Sequence, residues 1–252
     1  MNEKEMNLQL KKYLQELCLP NIRDSYSETA KQAAKESMSY EAYLYELVQQ
    51  QCSIRRQNRI ERRLKESKIP YEKNMETFSL QRMPKKVVQQ IQTLIEGSFL
   101  KRKENILAFG NPGSGKTHLL CAIGQELIKQ EKNILFMPCS LLVQDLLIAK
   151  RELKLSRIIK KLAKFEALII DDLGYVKQDK DEMEVLFTLL AERYERGSVM
   201  LTSNLAFSKW ETIFKDPMVT AAAIDRLVHH SVILELNISS YRMDEANKKK
   251  VN

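Results

Sequence analysis

The chain has 252 residues, 44% hydrophobic and 29% charged, a balance that fits one large globular domain, alone or with a small companion, and excludes collagen, mucin and long disordered tails. Seven Gly and six Pro are few for this length, which favours helical or α/β classes over all-β sandwiches. Forty-one Lys and Arg against 33 Asp and Glu give a net charge of +8, and the excess lies in front, with 20 basic against 14 acidic residues in 1–104 and 21 against 19 thereafter. That asymmetry suggests an anionic partner such as nucleic acid, although many basic proteins bind none.

The longest apolar runs, such as Ala167 to Ile170, fall far short of the roughly 18 to 20 residues of a membrane span. The start, Met1-Asn2-Glu3-Lys4-Glu5, is polar and of mixed charge, with no apolar stretch behind it, so neither a membrane nor a secretory route is expected and a cytoplasmic location is. Cys18, Cys52, Cys121 and Cys139 stand 34, 69 and 18 residues apart. Without a Cys-x-x-Cys or a nearby Cys/His pair, they read as ordinary reduced thiols.

In chain order, Leu8 to Leu64 comes first. Apolar positions there recur at helical spacing, as in Leu10, Leu14, Leu17 and then Tyr40, Leu44, Leu47, Val48, which predicts a small all-α domain over 1–68. Ile69-Pro70-Tyr71 interrupts the pattern, because the residue before a proline is steered away from the α region. A linker is expected over 69–84, ending at Met83-Pro84.

From 85 to 252 short apolar strands alternate with helices, the pattern of a parallel sheet covered by helices. Strands are predicted over 106–109, 134–137, 168–171, 199–202 and 232–236, and helices over 116–130, 141–149, 155–163, 181–196 and 219–228.

Gly110-Asn111-Pro112-Gly113-Ser114-Gly115-Lys116-Thr117 fits G-x-x-x-x-G-K-[ST] between a predicted strand and a predicted helix, the context this phosphate-binding motif requires. Its glycines let backbone N–H groups curl around phosphates at the positive end of a helix. Lys116 then neutralises the β and γ phosphates, and Thr117 ligates Mg²⁺. ATP and Mg²⁺ are the expected ligands.

Leu168-Ile169-Ile170-Asp171-Asp172 delivers Asp171 to the sheet edge where ligands bind, placed to hold Mg²⁺. Asp172 beside it can orient and deprotonate a water for attack on the γ-phosphate, unless the pair merely ends a strand. Hydrolysis of this kind argues against a small-molecule kinase. Leu201-Thr202-Ser203-Asn204 ends the next strand, where Asn204 could reach the γ-phosphate or the water, or be a simple turn residue.

Arg226, within Asp225-Arg226 of a short apolar helix, reads either as a surface salt-bridge partner or as an arginine presented by a neighbouring subunit to charge growing in the transition state. Arg55, Arg56, Arg59, Arg62 and Arg63 fall within an arc of about 120° on a helix, with Ile60 and Leu64 on the other side. Such a face suits phosphate tracking along duplex DNA, with a solvated charged face as the alternative. No aromatics interleave the arginines, so base stacking on single strands is not suggested. Phe207 and Trp210, at i, i+3, read as core rather than as a partner site, and Phe78 is a candidate to face adenine.

In their order these motifs resemble the AAA+ ATPases, and within them the IstB-like/DnaC-like group. The resemblance spans nearly the whole chain. It is most specific at Gly110 to His118, Ile169 to Gly174, Arg193-Tyr194-Glu195, Thr202 to Leu205, Phe207 with Trp210, Asp225-Arg226-Leu227 with His229, and Ser240-Tyr241-Arg242. It implies an AAA+ P-loop core with the strand of Asn204 between the two Walker strands.

The resemblance also implies roles. Residues 110–118, with Lys116 and Thr117, would be Walker A, Asp171 and Asp172 Walker B, Asn204 sensor I, Arg226 the arginine finger and Arg242 a sensor-II-like contact to nucleotide. For function it implies an ATPase that self-assembles on duplex DNA and presents it to a transposase. A replicative-helicase loader of the DnaC type is the alternative.

Asp172 stands where many relatives have Glu, which implies slow hydrolysis and a nucleotide used chiefly as an assembly switch. Ile238 stands where relatives often have Gly, which bears on the placement of Arg242. The 16 residues after Leu236 are too few for a full helical lid, so closure over the nucleotide is expected to come from a neighbouring subunit.

Overall fold

The computed structural model describes residues 2–174, 180–210 and 217–241, without the side chains of Pro217 and Val219. The chain divides into two compact units, Met1–Arg62 and Arg63–Asn252.

The first unit is helical: α1 (Glu3–Glu16), α2 (Pro20–Lys35) and most of α3 (Tyr40–Glu66), which runs on past the unit boundary. Asn2 starts α1 with a reciprocal cap, its side chain accepting from the Glu5 amide at 2.8 Å while its own amide donates to Glu5 Oε2 at 3.0 Å. Such a box satisfies two of the donors that a helix start leaves unpaired. Leu14, Ala33 and Leu47 are buried, one from each helix. Buried Gln51 of α3 accepts from the Asn21 amide in the first turn of α2 at 3.2 Å. Tyr43 of α3 donates its hydroxyl to the Tyr26 carbonyl of α2 at 3.0 Å.

The second unit holds a five-stranded parallel sheet: β1 (Asn105–Gly110), β2 (Ile134–Pro138), β3 (Ala167–Leu173), β4 (Ser198–Ser203) and β5 (Ser231–Leu236). Their spatial order is β2-β3-β4-β1-β5, with every pairing parallel. Strand β4 therefore lies between the strand that leads into the phosphate loop and the strand that carries Asp171.

The covering helices are α4 (Lys85–Ile95), α5 (Ser98–Arg102), α6 (Lys116–Lys129), α7 (Cys139–Arg151), α8 (Leu155–Leu162), α9 (Lys180–Arg193) and α10 (Pro217–Val228). All six residues of β4 are buried, as expected of a central strand covered on both faces.

Residues 69–84, expected as a linker, lie within the second unit. Ile69 and Phe78 are buried, and the Phe136 amide of β2 donates to the Ser67 carbonyl at 2.8 Å. Buried Gln125 of α6 donates to the carbonyls of Pro70 at 3.0 Å and Lys73 at 3.1 Å. The physical reason is a close approach at Gly124: a side-chain carbon there would stand 2.8 Å from Ile169 Cδ1 and 2.9 Å from Ile69 Cδ1. Glycine lets this strap and β3 pack tightly against α6.

Candidate active site

The phosphate loop leaves β1 at Gly110 and enters α6 at Lys116. Gly110 (φ 151°) and Gly113 (φ 79°) hold conformations that disfavour any side chain. A Cβ at Gly113 would also strike the Ser240 side chain, and one at Gly110 the Leu236 carbonyl. Lys116, 5% exposed, donates Nζ to the carbonyls of Gly110 at 2.8 Å and Asn111 at 2.9 Å. Ser114 is 1% exposed, and its Oγ has no hydrogen-bond partner among the described residues.

The loop opens onto a cavity of about 660 Å³, a size suited to a nucleotide. Pro112 to His118 form one wall, the strap with Glu72, Lys73, Thr77, Phe78 and Arg82 another, and Asp172, Asn204, Ile238 and Tyr241 also face it. Phe78 meets the His118 ring edge-on at 5.3 Å. His118 Nε2 lies 3.1 Å from both Thr77 Oγ1 and the Asn74 carbonyl. Burial moves the His118 pKa below its ordinary value, which keeps the ring neutral near pH 7. The Tyr241 amide donates to the Gly113 carbonyl at 3.0 Å, so the Ser-Tyr pair before Arg242 docks on the loop, and Arg82 of the strap donates to the preceding Ser239 Oγ at 2.9 Å.

Asp171 is buried at the end of β3. Its Oδ1 accepts from Thr117 at 2.7 Å and from Thr202 at 2.6 Å. Asp172 is exposed, lines the cavity and has φ 61°. The β3–β4 register shifts there between Ile170 and Leu173. Two β3 residues thus oppose Thr202 alone, a β-bulge, and the bulge re-aims a side chain that strict alternation would turn to the far face.

The site residues expected from sequence divide into two groups. Lys116, Thr117, Asp171, Asp172, Asn204 and the loop from Gly110 to His118 come together around this cavity or at its floor. Arg226 is not among its lining residues; it lies on α10, donates to the Ala222 carbonyl at 3.0 Å and stacks over the Phe187 ring at 4.9 Å. Arg242 lies outside the described residues.

Of the five arginines on α3, Arg55, Arg56, Arg59 and Arg62 are exposed and Arg63 is half-buried. Arg55 donates to the Cys18 carbonyl just past the end of α1. Arg63 Nη1 is buried without a hydrogen-bond partner among the described residues. Trp210 is fully buried, donates Nε1 to the Leu205 carbonyl at 3.1 Å, and packs on Phe207 and Phe109.

Apart from Phe78, sequence reasoning missed the strap at Thr77 to Arg82, whose isolated apolar residues show no periodicity, and the bridging part of Thr202, which only the register with β3 reveals.

Residues 12–249 match the family described as IstB-like ATP binding protein. The chain belongs to that family. It is 42% identical over 238 residues, 94% of this chain and 80% of the other, to an insertion-sequence ATP-binding protein of Sinorhizobium fredii. It is 37% identical, over 95% of this chain and 96% of the other, to the IS5376 ATP-binding protein of Geobacillus stearothermophilus. In fold it is similar to the DnaC helicase loader, with a TM-score of 0.57 at 16% identity over 67% of this chain and 98% of that one. This IstB-like protein is thus an ATP-binding AAA+ ATPase with a small helical region in front. Among the described residues no helix is long and apolar enough to cross a membrane.

Proposed function

We propose that this IstB-like protein is an ATP-dependent helper of insertion-sequence transposition. It assembles with copies of itself on duplex DNA, largely without regard to sequence, and presents that DNA to a partner transposase. ATP hydrolysis controls assembly and disassembly.

The observation that carries this reading is a phosphate-loop cavity lined by Asp172 and Asn204 whose expected finger, Arg226, packs on Phe187 and does not line it. A neighbouring copy would supply the finger, so turnover is weak in the free protein and rises with assembly. The relatives' names supply the insertion-sequence setting, and the exposed arginines of α3 support contact with the DNA backbone.

Within the cavity, buried Lys116 opposes phosphate charge, and the loop amides at the start of α6 add the positive end of a helix. Thr117 Oγ1 and Asp171 Oδ1, 2.7 Å apart, are hard oxygen donors that fit Mg²⁺. When bound, the ion would neutralise charge building on the phosphates. Asp172 takes a proton from the attacking water, and Asn204 orients that water or the γ-phosphate.

The likeness to a helicase loader favours a second reading, a loader of the DnaC type, but at 16% identity it speaks for fold alone. Binding to a random duplex of about 60 base pairs and to its single strand, with and without ATP and Mg²⁺, followed by sedimentation, separates the two. ATP-dependent assembly on duplex is the expected result. Failure on duplex together with binding to the single strand would overturn it in favour of the loader.

A further inference from the structure

The Walker-type carboxylates stand next to each other in a strand, and side chains of adjacent strand residues ordinarily point to opposite faces. Here they serve one site because β3 bulges, and a bulge leaves its extra residue without a ladder partner. The residue opposite the bulge is Thr202: Ile170 pairs with Leu201 and Leu173 with Ser203, so Asp171 and Asp172 share Thr202 as their counterpart on β4.

The Thr202 hydroxyl fills the gap. Its Oγ1 accepts from the Asp172 amide at 2.8 Å and donates to Asp171 Oδ1 at 2.6 Å. Thr202 is 0% exposed, so no water replaces either bond. Next along β4, Ser203 Oγ donates to the Leu173 carbonyl at 2.9 Å, fastening the far side of the bulge. Asp172 meanwhile sits at φ 61°, in the left-handed region that few L-residues other than Asn and Asp favour.

The geometry points to Thr202 as the positioning residue of ATP hydrolysis: through one hydroxyl it holds the bulge that aims Asp172 into the cavity and fixes the Asp171 oxygen that meets Thr117. Thr202 does not line the cavity and acts through the two aspartates. Asn204 stands two residues further along the chain, so the same segment places the residue expected to meet the γ-phosphate and the hydroxyl that sets both carboxylates. The inference rests on the reading of the cavity as an ATP-hydrolysing site.

Steady-state ATPase kinetics of Thr202→Val and Thr202→Ser on DNA, with nucleotide affinity measured separately by a fluorescent ATP analogue, test it. Valine keeps the shape and removes both hydrogen bonds; serine keeps both bonds. Misplacing a catalytic group by about 1 Å can cost on the order of a hundredfold. The expectation is therefore a kcat about 100-fold lower for Thr202→Val, with KM and analogue affinity within about threefold, and a Thr202→Ser kcat within about threefold of the parent.

Equal kcat for the valine variant and the parent would overturn the inference. So would a valine variant that loses nucleotide affinity along with turnover, or a serine variant as slow as the valine one. If the valine variant does not fold, Thr202→Ala carries the same expectation against the serine rescue. An unmodified protein that binds the analogue but turns over no ATP on DNA would instead refute the hydrolytic reading on which the inference rests.

Discussion

In the proposed mechanism hydrolysis turns on Asp172, and its carboxylate is separable from its fold. Its φ of 61° is tolerated by Asn as well as by Asp, so Asp172→Asn preserves the bulge and removes the base. General-base catalysis contributes roughly 10²- to 10⁴-fold. Steady-state ATPase measurements on DNA should show a loss in that range with nucleotide affinity unchanged, and a smaller loss would assign the proton to another acceptor.

His118 offers a second test at this scale. Burial lowers its pKa from the ordinary 6.5, so the unfolded chain binds the proton more readily than the folded one. Above pH 6.5 the ring is neutral in both states and its contribution is fully present; as pH falls below that value, stability is lost. Melting temperature should fall between about pH 7 and pH 5.5, and His118→Gln should flatten this part of the profile relative to the parent.

At the scale of elements, Arg193 does more than its place at the end of α9 suggests. It is 4% exposed, and its guanidinium donates to the carbonyls of Leu162, Phe165, Glu166 and Ser198 at 2.9 to 3.2 Å. One cation thus closes the end of α8, the approach to β3 and the start of β4. Burial pushes its pKa down to about 10, which still leaves it protonated at neutral pH. Arg193→Met fills similar space but removes all four bonds, leaving Leu162 and Glu166 with only their backbone donors, the Phe165 and Ser198 amides, and urea unfolding should show a loss of about 3 kcal/mol.

The sequence motif that contains Arg193 marks the family without disclosing this role, because three of its four acceptors, Leu162, Phe165 and Glu166, lie 27 to 31 residues away in sequence. The same division runs through the whole fold. Every strand was legible because buried parallel strands read as short apolar runs between helical stretches. The strap over residues 69–84 was not, since Ile69 and Phe78 are isolated apolar residues whose burial depends on what packs against them. Helix α4 did carry a readable signal, with Val87, Ile91 and Leu94 buried at helical spacing. The phosphate loop announced itself in contiguous residues, whereas the bulge at Asp172 depends on register with β4, which no local pattern encodes.

At the scale of the whole molecule, the proposed assembly on DNA is tested at the basic face of α3 and at Arg226. Arg56, Arg59 and Arg62 are all exposed on α3 and serve as the probe. Reversing these three to Glu should weaken duplex binding and lower the slope of log affinity against log salt by about one for each phosphate no longer neutralised. Unchanged affinity and slope would leave the face merely solvated. Arg226 calls for a different design, because a loss of activity in Arg226→Ala cannot by itself distinguish a finger from a local prop on Phe187. The informative experiment mixes that variant with Asp172→Asn. Each is expected to be nearly inactive alone: the first lacks the finger, the second lacks the base. In a mixed assembly, an Arg226→Ala subunit retains its own Asp172 and can receive Arg226 from an Asp172→Asn neighbour. Some interfaces then hold a complete set of groups, and ATPase activity on DNA should rise well above the sum of the two variants measured separately. A finger acting within its own chain, or a prop, predicts no such recovery, since every subunit would carry its own defect whatever stood beside it.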